Sequence, residues 1–127
     1  MIWRYLIAAI LGLHGVIHAI GFAATWRLGQ INAISTTPTF PSGLGSGTTL
    51  VQFLGLLWLL LAVAFVGAAV GVASGAGWWR LLAAAAAVLS LVLCLAWWND
   101  AKFGLAIDIA ILAGLAITTW VVRPALT

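Results

Sequence analysis

Apolar and polar positions divide the chain into four long apolar runs and one long polar interval. The runs extend from about Ile2 to Ala24, Leu50 to Val72, Trp78 to Trp98 and Phe103 to Val122. Each is close to the roughly 20 residues that an α-helix needs to cross a hydrocarbon core. One such run alone would also suit a buried helix of a soluble protein. Four of them in 127 residues leave nothing to cover them. The pattern predicts an all-α fold, an integral membrane four-helix bundle, forming a single domain over residues 1–127.

The connections are unequal. Residues 25–49 form the long loop, rich in Ser, Thr and Gly and interrupted by Pro38 and Pro41, which disfavour helix. Phe40 and Leu44 are apolar residues able to dock its tip on the bundle. The intervals Ala73–Gly77 and Asn99–Lys102 are short turns. Short turns make consecutive helices antiparallel neighbours, hence an up-down bundle.

Tryptophan supports these limits, because an indole settles where its ring is half buried and its N–H stays wet. Trp3 and Trp26 bracket the first run, Trp78/Trp79 and Trp97/Trp98 the third, and Trp120 ends the fourth. Trp58 falls well inside the second run and is expected to pack between helices or face lipid.

Composition agrees. Hydrophobic residues make up 65% of the chain and charged residues 6%, against roughly 25% charged in soluble domains. A water-facing coat is missing, and the lipid bilayer is the expected surrounding. The net charge of +3 comes from five basic and two acidic residues spread along the chain, too few for a nucleic-acid patch. Cys94 is the single cysteine, so an intrachain disulfide and Cys-x-x-Cys redox chemistry are excluded. The first run has Arg4 near its start, followed by apolar residues, and resembles a signal peptide in that respect, but its length and its two histidines favour a retained span. Arg4, Arg80 and Arg123 on the side of the termini outnumber Arg27 and Lys102 on the other, which predicts cytoplasmic termini in the cell inner membrane. Gly67, Gly71 and Gly75 repeat at four-residue spacing, which permits close helix approach within the bundle or across a homodimer seam.

Polar groups deep in a membrane are costly and few here. His14 and His18 share one face of the first helix, which Gly21 and Thr25 extend, and Asp108 lies in the fourth. Counting from Arg27 and Lys102, His18 lies roughly 13 Å, His14 roughly 19 Å and Asp108 roughly 9 Å along their helices. This places the three in the half nearer the long loop, with His18 and Asp108 closest in depth. Three uses are open: a hydrogen bond fixing helix register, a proton or small-molecule site, and a metal site of His14, His18 and Asp108 with His-x-x-x-His spacing. No other cofactor is predicted. Asp100 suits a cap and dipole partner where the fourth helix begins, and Lys102 suits a snorkelling cation. Alternatively Arg27, Gln52, Asn99, Asp100 and Lys102 form the rim of a pocket with the long loop as lid.

The string Leu13-His14-Gly15-Val16-Ile17-His18-Ala19-Ile20-Gly21-Phe22 resembles the His-Gly-x-x-His-x-x-Gly-Phe pattern of a family of small four-span bacterial membrane proteins. The stretches Phe53–Leu60 and Asn99–Gly104 are similar to it as well. Members are often labelled ABC transporter permeases or grouped loosely with DoxX-like proteins. The resemblance implies that His14, His18 and the Asp100–Gly104 stretch belong to one pattern, and it supplies no catalytic assignment. The leading expectation is a membrane protein whose His14/His18/Asp108 site, in the outer half of the bundle, binds or acts on a small lipophilic molecule. The alternatives are a non-catalytic accessory subunit of a larger membrane complex and a small proton-coupled exporter. No reaction is assigned.

Overall fold

The computed structural model describes residues 2–122; Arg123, counted in the charge balance, lies outside them. Four helices follow one another: α1 (Ile2–Thr25), α2 (Thr49–Ser74), α3 (Trp79–Ala96) and α4 (Trp98–Val122). All four are long and apolar enough to cross a membrane. The chain is a multi-pass membrane protein, and its helices form the expected four-helix bundle.

Packing follows chain order: α1 on α2, α2 on α3 and α3 on α4. Lipid tails are as apolar as leucine, so close packing and polar contacts, rather than escape from water, hold such helices together. At the α1–α2 contact the approach is set by glycine. A Cβ at Gly15 would lie 2.9 Å from the Ala62 carbonyl oxygen, and one at Gly21 would strike the Trp58 indole. Leu11, Trp58, Leu61 and Phe65 fill the core at this contact, each at most 2% exposed.

The Gly67/Gly71/Gly75 series serves the chain itself. A Cβ at Gly67 would meet Leu82, and one at Gly71 would lie 2.7 Å from Trp79 Cβ. Gly75 ends α2 in the left-handed conformation at φ 78°. Beside it Arg4 donates from Nε to the Val72 carbonyl (3.1 Å) and from Nη2 to the Ala73 carbonyl (2.6 Å), placing a cation at the negative end of α2.

The α3–α4 junction departs from expectation. Asn99–Lys102 is helical rather than a turn, and Trp97 alone separates the two helices. The stretch contains neither Gly nor Pro, and the N–H groups of Asp100 and Ala101 both return to the Trp97 carbonyl. A kink at Ala101 (φ −112°, ψ 17°) then redirects α4. Trp97 is also not an interfacial ring: it is fully buried, and its Nε1 donates to the Ser35 carbonyl of the long loop.

The loop lies across this junction. Phe40 N–H donates to the Ala96 carbonyl (2.9 Å), Ser35 N–H to Asp100 Oδ2 (3.1 Å) and Asn99 N–H to Thr39 Oγ1 (3.2 Å). The loop docks through its backbone and through buried Ile34 and Pro38, while the Phe40 side chain remains 59% exposed.

α4 is the least covered helix. Among its described side chains Ala101 and Asp108 alone are buried, and it touches α1 only sparsely.

Candidate functional site

Each of α1, α3 and α4 sends polar side chains to one point. His14 and His18 descend the inner face of α1, Ser90 comes from α3 and Asp108 from α4; all four are at most 1% exposed. His14 Nε2 lies 2.8 Å from Asp108 Oδ1. Ser90 Oγ lies 2.5 Å from Asp108 Oδ2 and 2.8 Å from His18 Nε2. His18 Nδ1 lies 2.9 Å from the His14 carbonyl, which can only accept, so this nitrogen carries hydrogen. Cys94, one turn beyond Ser90, brings its Sγ to 3.8 Å from Asp108 Oδ2.

The pairing differs from the one expected by depth. Asp108 contacts His14 directly and reaches His18 only through Ser90. The reason lies in the helix ends. α1 stops at Thr25 and α4 starts at Trp98, not near Lys102. Measured from those ends, His14 lies about 17 Å deep, Asp108 about 15 Å and His18 about 11 Å. The cluster therefore lies in the loop-side half, as expected, but Asp108 sits deeper than its count from Lys102 implied and close to the middle of the span.

Aromatic rings pack the cluster on the α2 side. The Phe65 ring centroid lies 4.7 Å from that of His14 and 5.2 Å from that of His18. Trp58 lies 5.1 Å from His18, and Trp97 lies edge-on to Trp58 at 5.6 Å. Trp58 thus packs between helices as expected. Trp97 is in turn bonded to the loop, so a chain of ring contacts links the cluster to the loop. The rim residues are not gathered around the histidines. Asn99 and Asp100 anchor the loop. Lys102 lies over the Trp98 ring (5.7 Å). Arg27 is exposed at φ 54°, and the Gln52 backbone carbonyl accepts from Trp26 Nε1 (3.0 Å). Asp100 gives its Oδ2 to the loop rather than to the start of its own helix.

His14 Nε2, His18 Nε2 and both Asp108 oxygens are engaged with one another or with Ser90, and His18 Nδ1 is engaged by the His14 carbonyl; no three-ligand metal group is found among the described residues. His14 Nδ1 and Trp58 Nε1 are buried without a hydrogen-bond partner.

Ser90 is the residue that sequence reasoning passed over. The available signal was one hydroxyl in the middle of the apolar run Ala83–Leu93. That signal is weak, because a helical serine can satisfy itself on its own preceding turn.

A groove runs between α1 and α4 on the side of the chain termini, with a volume of about 680 Å³. Ile7, Ile10 and Leu11 line one wall and Ile107, Ala110 and Gly114 the other, with Trp79 and Arg80 of α3 at its back. Leu11 lies one turn from His14, and Ile107 and Ile111 flank Asp108, so the groove ends beside the polar cluster.

No family model, curated protein or solved structure matches the chain.

Proposed function

We propose that this protein, seated in the cell membrane with its termini in the cytoplasm, binds a small lipophilic molecule in the α1–α4 groove, with the His14–Asp108 contact at its polar end. The groove carries the reading. Its volume of about 680 Å³ is within the roughly 300–1,000 Å³ of small-molecule sites. Its walls are apolar, and a buried carboxyl and imidazole lie one helical turn from its inner end. Arg80, beside the Trp79 ring, supplies a cation on the terminal side. Membership of the four-span family suggested by His14–Phe22 is part of the same proposal.

The test is photolabelling in lipid nanodiscs with a diazirine analogue of palmitic acid. Labelled peptides should concentrate on Trp3–Leu11 and Ile107–Thr118 rather than on the outer face of α2 at Val63 and Val70. Gly114 lines the groove, and a Cβ there meets nothing within 4 Å. Gly114→Phe should therefore place its ring in the groove and lower labelling there about tenfold, the equivalent of about 1.4 kcal/mol. Equal labelling of all outward faces, unaffected by Gly114→Phe, would remove the binding site.

One observation favours the accessory-subunit reading. α4 exposes Ala106, Ala110, Ala113 and Gly114 along its length, a small-residue face suited to another helix. On that reading the protein would co-purify with a larger membrane partner, and crosslinks from Ala106 and Ala113 would reach it.

A further inference from the structure

The polar cluster makes four close contacts, and each needs one hydrogen between its heavy atoms: His14 Nε2 to Asp108 Oδ1, Asp108 Oδ2 to Ser90 Oγ, Ser90 Oγ to His18 Nε2, and His18 Nδ1 to the His14 carbonyl. Two neutral imidazoles, one hydroxyl and an ionised carboxylate bring three hydrogens. With three, one contact sets two lone pairs against each other. Were Ser90 to donate to His18, its oxygen would face a bare carboxylate at 2.5 Å. Were it to donate to Asp108, its oxygen would face an unprotonated His18 Nε2 at 2.8 Å. Cys94 repairs neither case, because its Sγ stands 3.7 Å from Ser90 Oγ and 3.8 Å from Asp108 Oδ2, outside both gaps. From α2 the cluster faces Phe65 and Trp58, neither of which titrates.

We propose that Asp108, Ser90 and His18 form a proton-binding site that holds one labile proton, with the Ser90 hydroxyl passing it between carboxyl and imidazole. In one form Asp108 Oδ2–H donates to Ser90 Oγ, and Ser90 O–H donates to His18 Nε2. In the other the Asp108 O–H bond has broken as a new Ser90 O–H formed, and the original Ser90 hydrogen has moved to His18 Nε2. A carboxylic acid and neutral imidazole become a carboxylate and imidazolium. Net charge is zero in both forms, which suits a cluster about 11–17 Å in from the loop-side helix ends, where an uncompensated charge is expensive. His14 keeps its Nε2 hydrogen on Oδ1 throughout. Its partnerless Nδ1 is then a bare acceptor, which is less costly to bury than an unpaired N–H. The site is independent of what occupies the groove.

The test is spectroscopic, on the whole protein in nanodiscs at pH 7. Infrared spectra in H₂O and D₂O, with 15N NMR of labelled histidine, report where the hydrogens sit. The expected result is a carboxylic-acid C=O band lost in Asp108→Asn, or a His18 ring with both nitrogens protonated, or exchange between the two. An ionised Asp108 beside two neutral imidazoles would overturn the proposal. Asp108→Asn supplies the fourth hydrogen from its amide, so this variant should stay folded with both histidines neutral; a His18 ring still doubly protonated in it would also count against the site. Ser90→Ala should abolish exchange between the two forms, whereas Cys94→Ala should leave the spectra unchanged.

Discussion

The two faces of α1 are held by different means. Towards α2, α1 presents Gly15 and Gly21; the Ala62 carbonyl and Phe65 Cβ come up against Gly15, and the Trp58 ring enters the space that Gly21 leaves. Towards α4 it presents one polar contact, His14 to Asp108, above a groove of about 680 Å³. The first contact depends on shape at many points, and its side-chain hydrogen bonds lie only at the far end, where Arg4 meets the α2 carbonyls. The second depends on a few hydrogens, and most of the surface is left open. A membrane helix can thus be fixed by packing on one side and pinned by polarity on the other. On the function proposed above, the pinned side is the one that admits a lipophilic guest.

Substitutions separate the two mechanisms. The largest effect is expected from Gly21→Leu, whose side chain must displace the buried Trp58 ring; overpacking of this kind should cost about 3 kcal/mol or more in denaturant unfolding from detergent micelles. A Gly21→Leu protein as stable as the wild type would show that the α1–α2 contact is not shape-limited. Next comes Asp108→Ala, which removes the links from α4 to both α1 and α3. Two interhelical hydrogen bonds, each worth about 0.6–2 kcal/mol, put the loss near 2 kcal/mol. Asp108→Asn, which retains hydrogen bonds to both, should remain within about 1 kcal/mol of wild type; equal losses in the two variants would count against a hydrogen-bonded pin. Ser90→Ala removes the α3 link alone and should cost about 1 kcal/mol by the same measurement. The smallest change in stability belongs to Gly114→Phe, within about 0.5 kcal/mol, because its side chain enters open groove. A large loss there would mean that the α1–α4 seam closes more tightly than the groove implies.

Several features were legible residue by residue. The apolar runs located all four helices to within a few residues, apart from the start of α4. The start of α4 lies earlier than the polarity of Asn99-Asp100-Ala101-Lys102 implies, because backbone hydrogen bonds to Trp97 make this stretch helical. The same difference shifts the depth count, so His14 rather than His18 matches Asp108. Trp97 looked interfacial because it sits at a helix end, and only the loop folded over it makes it interior. Ser90 was indistinct because one hydroxyl in an apolar helix has a local way to satisfy itself.

By itself the sequence determined the solvent and the architecture. Four runs of apolar side chains cannot be hidden from water by a chain this short, so they must lie in lipid as helices that satisfy their own backbones. It also determined that His14, His18 and Asp108 would be buried and would need partners. The tertiary structure alone decided which partners. A difference of a few ångströms in helix start, a kink at Ala101 and the glycine-set approach of α1 to α2 select the contacts. A hydrogen bond tolerates a misplacement smaller than one residue's rise, whereas the hydrophobic pattern locates a helix only to within a turn.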